Sequence, residues 1–197
     1  MTPQFEAAYQ LHQFLTAHKV PYVIIGGLAV QRWGDPRFTR DVDVTLLVSP
    51  EEEEGLLSGL LRVFTPRIPD ALAFARQNRV LLVRTPEGCD LDISLGISGY
   101  EEEVVARAVN YDLGNGRTVR LCSAEDLIIH KAIAGRPQDC ADIEGILLRQ
   151  GHALDTRYVE RWLRELSRVV EMDEIYQRFA MPWKRLMGKR PSAGSHC

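Results

Sequence analysis

The sequence predicts an α+β protein in which a small mixed β-sheet with flanking helices is followed by a helical C-terminal part. Apolar and polar residues alternate at 41–48 and 89–95, which is typical of strands that bury one face. Segments with apolar residues at helical spacing alternate with these strands, and beyond residue 122 only helical spacing is present. The predicted parts are an α/β core at residues 1–122, a helical region at 123–188 and a disordered tail at 189–197.

Composition restricts the classes of protein that the chain can represent. Hydrophobic residues make up 45% and charged residues 26% of 197 residues, which is ordinary for a globular protein. The net charge of −3 gives no overall electrostatic attraction to nucleic acid. The four cysteines form no C-x-x-C pair, which argues against a zinc site and fits a reducing compartment. The N-terminus lacks a signal-peptide profile and no run has membrane-spanning length, so we expect a cytoplasmic protein without a membrane partner.

The first elements lead to a glycine pair. Residues 5–18 have the apolar spacing of an amphipathic helix, and the apolar run 22–25 after Pro21 predicts a buried strand. Gly26-Gly27 ends that strand, and residues 28–33 predict a short helix. Backbone amides at such a helix start bind phosphate well, although a glycine pair alone is more typical of a simple tight turn.

The next strand predicts a metal site. Val42, Val44 and Leu46 lie on one face, and Asp41 and Asp43 lie on the other. Residues two apart in a strand are separated by about 6.5 to 7 Å, so both carboxylates can reach one small space. Two carboxylates at that distance repel each other unless a cation neutralises them, and oxygen ligands select Mg²⁺ or Mn²⁺.

A second acidic strand follows in a predicted hairpin. Ser49-Pro50 before four glutamates predicts a helix start, and residues 69–76 predict a short helix. Residues 80–84 and 89–95 then form the hairpin strands, with Asp90 and Asp92 sharing one face of the second strand. Pairing of the two acidic strands would bring a third carboxylate to the metal site. We predict Asp92, because turn-adjacent aspartates such as Asp90 usually satisfy backbone donors, and the contribution of Asp90 stays open.

The remaining chain predicts one further hairpin strand and several helices. Residues 100–109 predict a helix, 114–116 a turn and 117–122 a strand. Helices are expected at 123–134, from Pro137 onward, and twice after Asp155. Lys131 lies beside an apolar stripe, where a lysine covering the stripe with its aliphatic stem is as reasonable as a functional one. We expect His130 to be an ordinary surface histidine.

These motifs together resemble the polymerase-beta-type nucleotidyltransferase superfamily. The resemblance rests on Gly26-Gly27, thirteen intervening residues, Asp41-x-Asp43 and the later strand carboxylate. The run from Arg37 to Asp43 looks like the R-x-T-x-D-x-D of minimal nucleotidyltransferases and of the AbiEii-toxin-like branch. Residues 125–142, with Lys131 and Asp139, look like the downstream Lys/Asp motif of that branch. The resemblance covers roughly residues 20 to 150 and implies that the sheet is a nucleotidyltransferase core.

The resemblance implies a reaction and a set of site residues. An acceptor oxygen attacks the α-phosphate of a nucleoside triphosphate (NTP), and pyrophosphate leaves with the help of Mg²⁺ or Mn²⁺. The family's common Gly-Ser is Gly26-Gly27 here, so one hydroxyl is missing. The implied catalytic and metal-binding residues are Asp41, Asp43 and Asp92, and the implied NTP-binding residues are Gly26, Gly27, Thr39, Arg40, Lys131 and Asp139.

Three functions are compatible with these motifs. The leading hypothesis is transfer to a hydroxyl of RNA, above all tRNA, or of a protein, and the resemblance implies a toxin–antitoxin or phage-defence context with a cognate toxin or antitoxin partner. The alternatives are transfer to a small molecule of the aminoglycoside type and a catalytically silent antitoxin module that binds a nucleotide or a partner. The sequence leaves the nucleotide, the acceptor and the oligomeric state open. A basic groove would favour RNA, and its candidate residues are Arg32, Arg37, Arg40 and Arg76.

Overall fold

The computed structural model of the chain describes residues 2–96 and 99–188, so the predicted disordered tail at 189–197 lies outside the described residues. The described residues form two compact units. The first contains the residues up to Gln31 together with Arg37–Ser123, and the second contains Arg32–Pro36 together with the residues from Ala124 onward. The predicted α+β class is confirmed, since the first unit carries a mixed sheet and the second is helical.

The sheet of the first unit has seven strands among the described residues. They are β1 (Tyr22–Ile24), β2 (Asp41–Leu46), β3 (Thr65–Pro66), β4 (Val80–Arg84), β5 (Asp90–Leu95), β6 (Val109–Gly114) and β7 (Arg117–Leu121). Their spatial order is β3-β4-β5-β2-β1-β7-β6. The pairs β2–β5 and β1–β7 are parallel, and the other pairs are antiparallel. The predicted hairpin β4–β5 is confirmed, and β5 is also the direct neighbour of β2.

Helices of the first unit share one core with the apolar face of the sheet. They are α1 (Pro3–Ala17), α2 (Gly26–Trp33, whose last two residues belong to the second unit), α3 (Pro50–Val63) and α4 (Ala71–Asn78). A further helix of the described chain in this unit, α5 (Tyr100–Ala106), buries Tyr100, Val104 and Val105 outside that core. Leu11 of α1 and Leu57 of α3 are buried in the same cluster as Val42 and Val44 of β2 and Leu91 of β5. Because neighbouring residues of a strand point to opposite faces, the strand aspartates lie on the face away from this cluster.

Up to residue 188, the second unit contains the end of α2 and four further helices, α6 (Ala124–Ala134), α7 (Pro137–Gln150), α8 (Thr156–Val169) and α9 (Glu174–Met187), with a short 3-10 turn at Gly151–Ala153. Its buried apolar residues include Leu127, Ile146, Leu163 and Phe179. Arg136 and Asp139 form a capping box at the start of α7, with the Arg136 backbone amide donating to Asp139 Oδ2 over 3.2 Å. Within the described part of the chain, no helix combines the length and apolar character needed to cross a membrane.

Two elements differ from the prediction. The helix expected at 100–109 ends at Ala106, and Val109 begins strand β6. Val109, Tyr111 and Leu113 alternate as half-buried residues, and Tyr111 stacks on Phe5 with ring centroids 5.5 Å apart, so pairing with β7 and packing on α1 favour a strand. The two-residue strand β3, which pairs with β4, was not predicted at all.

The shared core generates a stability prediction on α3. Leu57→Ala removes a fully buried side chain, so we expect the free energy of unfolding to fall by about 2 to 5 kcal/mol. The matched control is Val63→Ala on the same helix, where the side chain is 50% exposed and the expected change is within about 0.5 kcal/mol. Urea unfolding followed by circular dichroism measures both, and equal losses would contradict the placement of α3 on the sheet.

Candidate active site

The parallel pairing of β2 and β5 brings the two acidic strands side by side. In the register of this pair, Asp41 lies opposite Asp90 and Asp43 lies opposite Asp92. Neighbouring strands are about 4.8 Å apart, and aligned residues of adjacent strands point to the same face. All four carboxylates therefore project from one face of the sheet, and the apolar residues between them face the core.

Three of these carboxylates form a compact cluster. Asp41, Asp43 and Asp92 are half-buried, and each offers an oxygen that lies within 4.8 Å of the oxygens offered by the other two. Three convergent carboxylates fit a hard divalent cation such as Mg²⁺ or Mn²⁺, which prefers oxygen ligands. In residues 2–96 and 99–188 no other group of three or more His, Cys, Asp or Glu side chains has this arrangement.

The glycine pair packs directly against the acidic strand. Gly26 has φ +65°, and a Cβ on it would lie 1.9 Å from Asp43 Oδ2. A Cβ on Gly27 would lie 2.4 Å from Thr39 Oγ1. Only residues without side chains allow both approaches, so the pair is required by contact with Asp43 and Thr39 as well as by the turn. The two glycines are the first residues of α2, so the start of that helix lies beside the acidic cluster.

Thr39 explains the absence of a serine at position 27. Its buried hydroxyl donates to Asp41 Oδ1 over 3.1 Å and occupies the space that a side chain on residue 27 would need. A hydroxyl is therefore present beside the glycine pair, although it comes from a different residue than in the Gly-Ser pattern. Arg40, the next residue, is exposed.

Two arginines that no sequence motif singled out complete the site. Arg67 donates from Nη1 to Asp92 Oδ1, and its Nε lies 3.5 Å from Asp90 Oδ2. Arg84 donates to both oxygens of Asp90, over 2.5 and 3.2 Å. The hydrogen bond from Arg84 lowers the pKa of Asp90 and outweighs the opposing effect of burial, and the charges of Arg67 and Arg84 lower the pKa further. Asp90 thus belongs to an arginine network and lies outside the carboxylate cluster.

The sequence carried no usable signal for Arg67. The residue follows strand β3, which has only two residues and includes Pro66. Its backbone amide continues the pairing by donating to the Leu82 carbonyl of β4 over 3.0 Å. A strand this short produces no periodicity, so its pairing partner is visible only in the folded chain.

Lys131 and Asp139, the other predicted NTP-binding residues, lie in the second unit. Lys131 Nζ is 2.8 Å from Asp139 Oδ1 and 2.8 Å from Asp142 Oδ2, and all three residues are buried. Arg136 Nε also donates to Asp139 over 2.7 Å. Burial raises the pKa of Asp139, but the hydrogen bonds from Arg136 and Lys131 outweigh it, so the pKa lies below its usual value. Lys131 therefore has two carboxylate partners inside its own unit.

One expectation about a basic side chain needs correction. His130 is not a surface histidine, because its Nε2 is buried and burial lowers the pKa of the imidazole to about 4. Among the candidate residues for a basic groove, Arg32 lies in the second unit and Arg76 pairs with Glu54 over 2.6 Å. Only Arg37 and Arg40 stand in the segment that leads into β2.

Comparison with known proteins identifies the fold. No protein-family model matches the chain, and no curated protein is significantly similar in sequence. An antigenic nucleotidyltransferase-like protein from Paracoccidioides brasiliensis is 20% identical with a TM-score of 0.50, over 88% of this chain and 91% of that chain. The solution structure of the antibiotic-resistance factor ANT(2'')-Ia is 19% identical with a TM-score of 0.52, over 85% and 96% of the two chains. Its crystal structure with adenylyl-2''-tobramycin is 20% identical with a TM-score of 0.51, over 86% and 99%.

At these identities the similarity concerns the fold alone. The mixed sheet of this chain is thus a nucleotidyltransferase fold, as the sequence motifs predicted. The AbiEii-toxin-like branch stays a prediction that rests on the motifs.

The contact between Gly26 and Asp43 generates a second prediction. In Gly26→Ala the new methyl group collides with the Asp43 carboxylate, so we expect Mn²⁺ affinity to fall at least about tenfold, since ligands must keep their geometry. The control is Gly88→Ala, which also has positive φ but has no atom within 4 Å of the added Cβ. Both variants carry backbone strain of about 1 to 2 kcal/mol, and only the first should lose metal affinity in a Mn²⁺ titration. Unchanged Mn²⁺ affinity in Gly26→Ala would contradict this role of the glycine.

A third prediction separates the two roles of Lys131. Lys131→Met leaves Asp139 and Asp142 buried with one cation fewer, so we expect the free energy of unfolding to fall by about 3 kcal/mol. Arg185→Met is the control, because it breaks an exposed pair with Glu144 in the same unit and should cost less than about 1 kcal/mol. Thermal unfolding measures both. A Lys131→Met protein with wild-type stability and weakened ATP binding would instead support the triphosphate contact.

Proposed function

We propose that this chain is a magnesium- or manganese-dependent nucleotidyltransferase, which transfers a nucleoside monophosphate from an NTP to a hydroxyl group of an acceptor. The observation that carries the proposal is the cluster of Asp41, Asp43 and Asp92, whose carboxylate oxygens lie within 4.8 Å of one another. The glycine turn beside that cluster, whose backbone amides are suited to binding phosphate, supports the same reaction, and so does the nucleotidyltransferase fold. A module that had lost catalysis would have no physical reason to keep three mutually repelling carboxylates together.

The residues divide the chemistry among them. A bond forms between the acceptor oxygen and the α-phosphorus, and the bond from that phosphorus to the leaving pyrophosphate oxygen breaks. Asp92 accepts the proton of the acceptor hydroxyl as general base, and Asp41 and Asp43 would hold the divalent cation together with it. When bound, that cation supplies charge neutralisation for the phosphate oxygens.

The first unit also offers the groups that an NTP needs. Amides at the glycine start of α2 suit phosphate oxygens, because no side chain prevents their approach. The Thr39 hydroxyl lies beside this turn, and Arg40, which is exposed and directly precedes Asp41 in the chain, adds a positive charge to the same segment. Lys131 and Asp139 remain predicted triphosphate contacts, although their mutual ion pair also suits a structural role.

We propose RNA as the leading acceptor class. Phe38 is 76% exposed and stands between Arg37 and Arg40 in the segment that leads directly into the acidic strand. An exposed aromatic ring in a segment that also carries two arginines is a surface on which unpaired bases stack and phosphates bind. A toxin–antitoxin or phage-defence role, with a cognate protein partner, rests only on the resemblance of the motifs to the AbiEii-like branch.

A small-molecule acceptor is the second candidate. It is supported by the similarity to ANT(2'')-Ia, an antibiotic-resistance factor that was crystallised with adenylyl-2''-tobramycin, since this chain spans 99% of that structure. Fold similarity does not show which acceptor this chain uses, because the choice of acceptor depends on the side chains around the site.

The fourth prediction tests the reaction itself. We expect the purified protein to transfer label from at least one α-labelled NTP, in the presence of Mg²⁺, to total RNA. Asp41→Asn and Asp43→Asn should lower the rate by at least about 100-fold, because each removes a charged ligand from the cluster. The matched control is Asp112→Asn on β6, whose side-chain oxygen can still accept from the Gly114 amide and which should react at the wild-type rate.

Parallel reactions distinguish the acceptor classes. Tobramycin replaces RNA in one series, and Phe38→Ala is added to both. Label on RNA that falls in Phe38→Ala supports the leading acceptor, whereas label on tobramycin that is unaffected by Phe38→Ala supports the second. Mg²⁺-dependent NTP binding without label on RNA, on the protein itself or on tobramycin would favour a different small-molecule acceptor, whereas absence of both NTP binding and transfer would leave the catalytically silent module.

A further inference from the structure

We propose that Arg67 is an internal cation that competes with the divalent metal for Asp92, so that it weakens metal binding in the absence of substrate. The inference rests on the proposed function, because it assumes that Asp41, Asp43 and Asp92 hold a metal. It concerns a residue outside the three acids and the glycine turn, and it assigns a role to the arginine network around them.

The contact between Arg67 and Asp92 is the first argument. Arg67 donates from Nη1 to Asp92 Oδ1, so a full positive charge lies at hydrogen-bond distance from one of the three clustered carboxylates. The two side chains are only 24% and 32% exposed, which limits the screening of this charge by water. A divalent cation that approaches Asp92 therefore meets electrostatic repulsion and must displace or tolerate the guanidinium.

The fold fixes the position of Arg67. Its backbone is fixed by the hydrogen bond to Leu82, and Leu82 lies opposite Asp92 in the β4–β5 register. Its side chain also reaches Asp90, which pairs with Arg84 as well. In this proposal Asp90 is not a metal ligand. It is a second carboxylate with which Arg67 remains paired when the guanidinium leaves Asp92.

Competition and support make opposite predictions. If Arg67 only oriented Asp92 for the metal, removal of the guanidinium would loosen the ligand and weaken metal binding. If Arg67 competes with the metal, removal frees the carboxylate and strengthens binding. The partly exposed pair should change the affinity by a moderate factor, which we expect to be about threefold to tenfold.

The experiment is a titration with Mn²⁺ alone, in which electron paramagnetic resonance measures free Mn²⁺. We expect Arg67→Gln to bind Mn²⁺ about threefold to tenfold more tightly than the wild type. Arg84→Gln is the matched control, because it removes the same charge from the same network but contacts Asp90 and not Asp92. It should change the affinity by less than about twofold. Arg67→Ala is measured as a second neutral variant and replaces Arg67→Gln if that protein does not fold.

A double-mutant cycle with Asp92→Asn isolates the pair. In the Asp92→Asn background, Arg67→Gln should change Mn²⁺ affinity by less than about twofold, because the carboxylate that both cations share is gone. Weaker or unchanged Mn²⁺ binding by Arg67→Gln in the wild-type background would overturn the competition. A wild-type protein that binds no Mn²⁺ would instead overturn the metal-dependent function, together with this inference.

Discussion

The structure of the candidate site depends on the parallel pairing of β2 and β5. That pairing aligns Asp43 with Asp92 and concentrates like charges on one face of the sheet, which is unfavourable by itself. The opposite face offsets the cost, because Val42, Val44, Leu91 and Ile93 are fully buried there. A shift of one residue along either strand would expose these apolar side chains and turn the aspartates into the core. Burial on one face therefore stabilises charge clustering on the other.

Local cations and close contacts then set the geometry around the acids. Arg84 and Arg67 both pair with Asp90, and Arg67 alone also reaches Asp92, so the network separates one paired carboxylate from the compact cluster. On the other side, the glycine pair allows the start of α2 to touch Asp43 and Thr39. The result is a surface where a helix start, a hydroxyl and three carboxylates meet, which is a suitable combination for phosphate chemistry.

The second unit uses charge in a different way. Lys131, Asp139 and Asp142 are buried together, and the Tyr158 hydroxyl donates to the buried Asp126 over 2.7 Å. Buried ion pairs seldom add much net stability, but they penalise any packing that leaves one partner alone. In this unit the ion pairs join α6 to α7, and the hydrogen bond from Tyr158 to Asp126 joins α8 to α6. The same residues look like a nucleotidyltransferase motif in the sequence, so one cluster satisfies both a structural and a functional explanation.

The sequence by itself determined which residues could share a face. The two-residue period of strands placed Asp41 with Asp43 and Asp90 with Asp92, and the spacing of the motifs pointed to the nucleotidyltransferase fold. Only the tertiary structure decided that Thr39 fills the space beside Gly27, that Arg67 reaches Asp92, and that residues 109–114 form a strand. The physical reason is the separation along the sequence between the residues that interact. Periodicity is a property of residues that are neighbours in the sequence, whereas these contacts join segments that meet only in the folded chain. The energies of these contacts depend on partners that a local pattern does not contain.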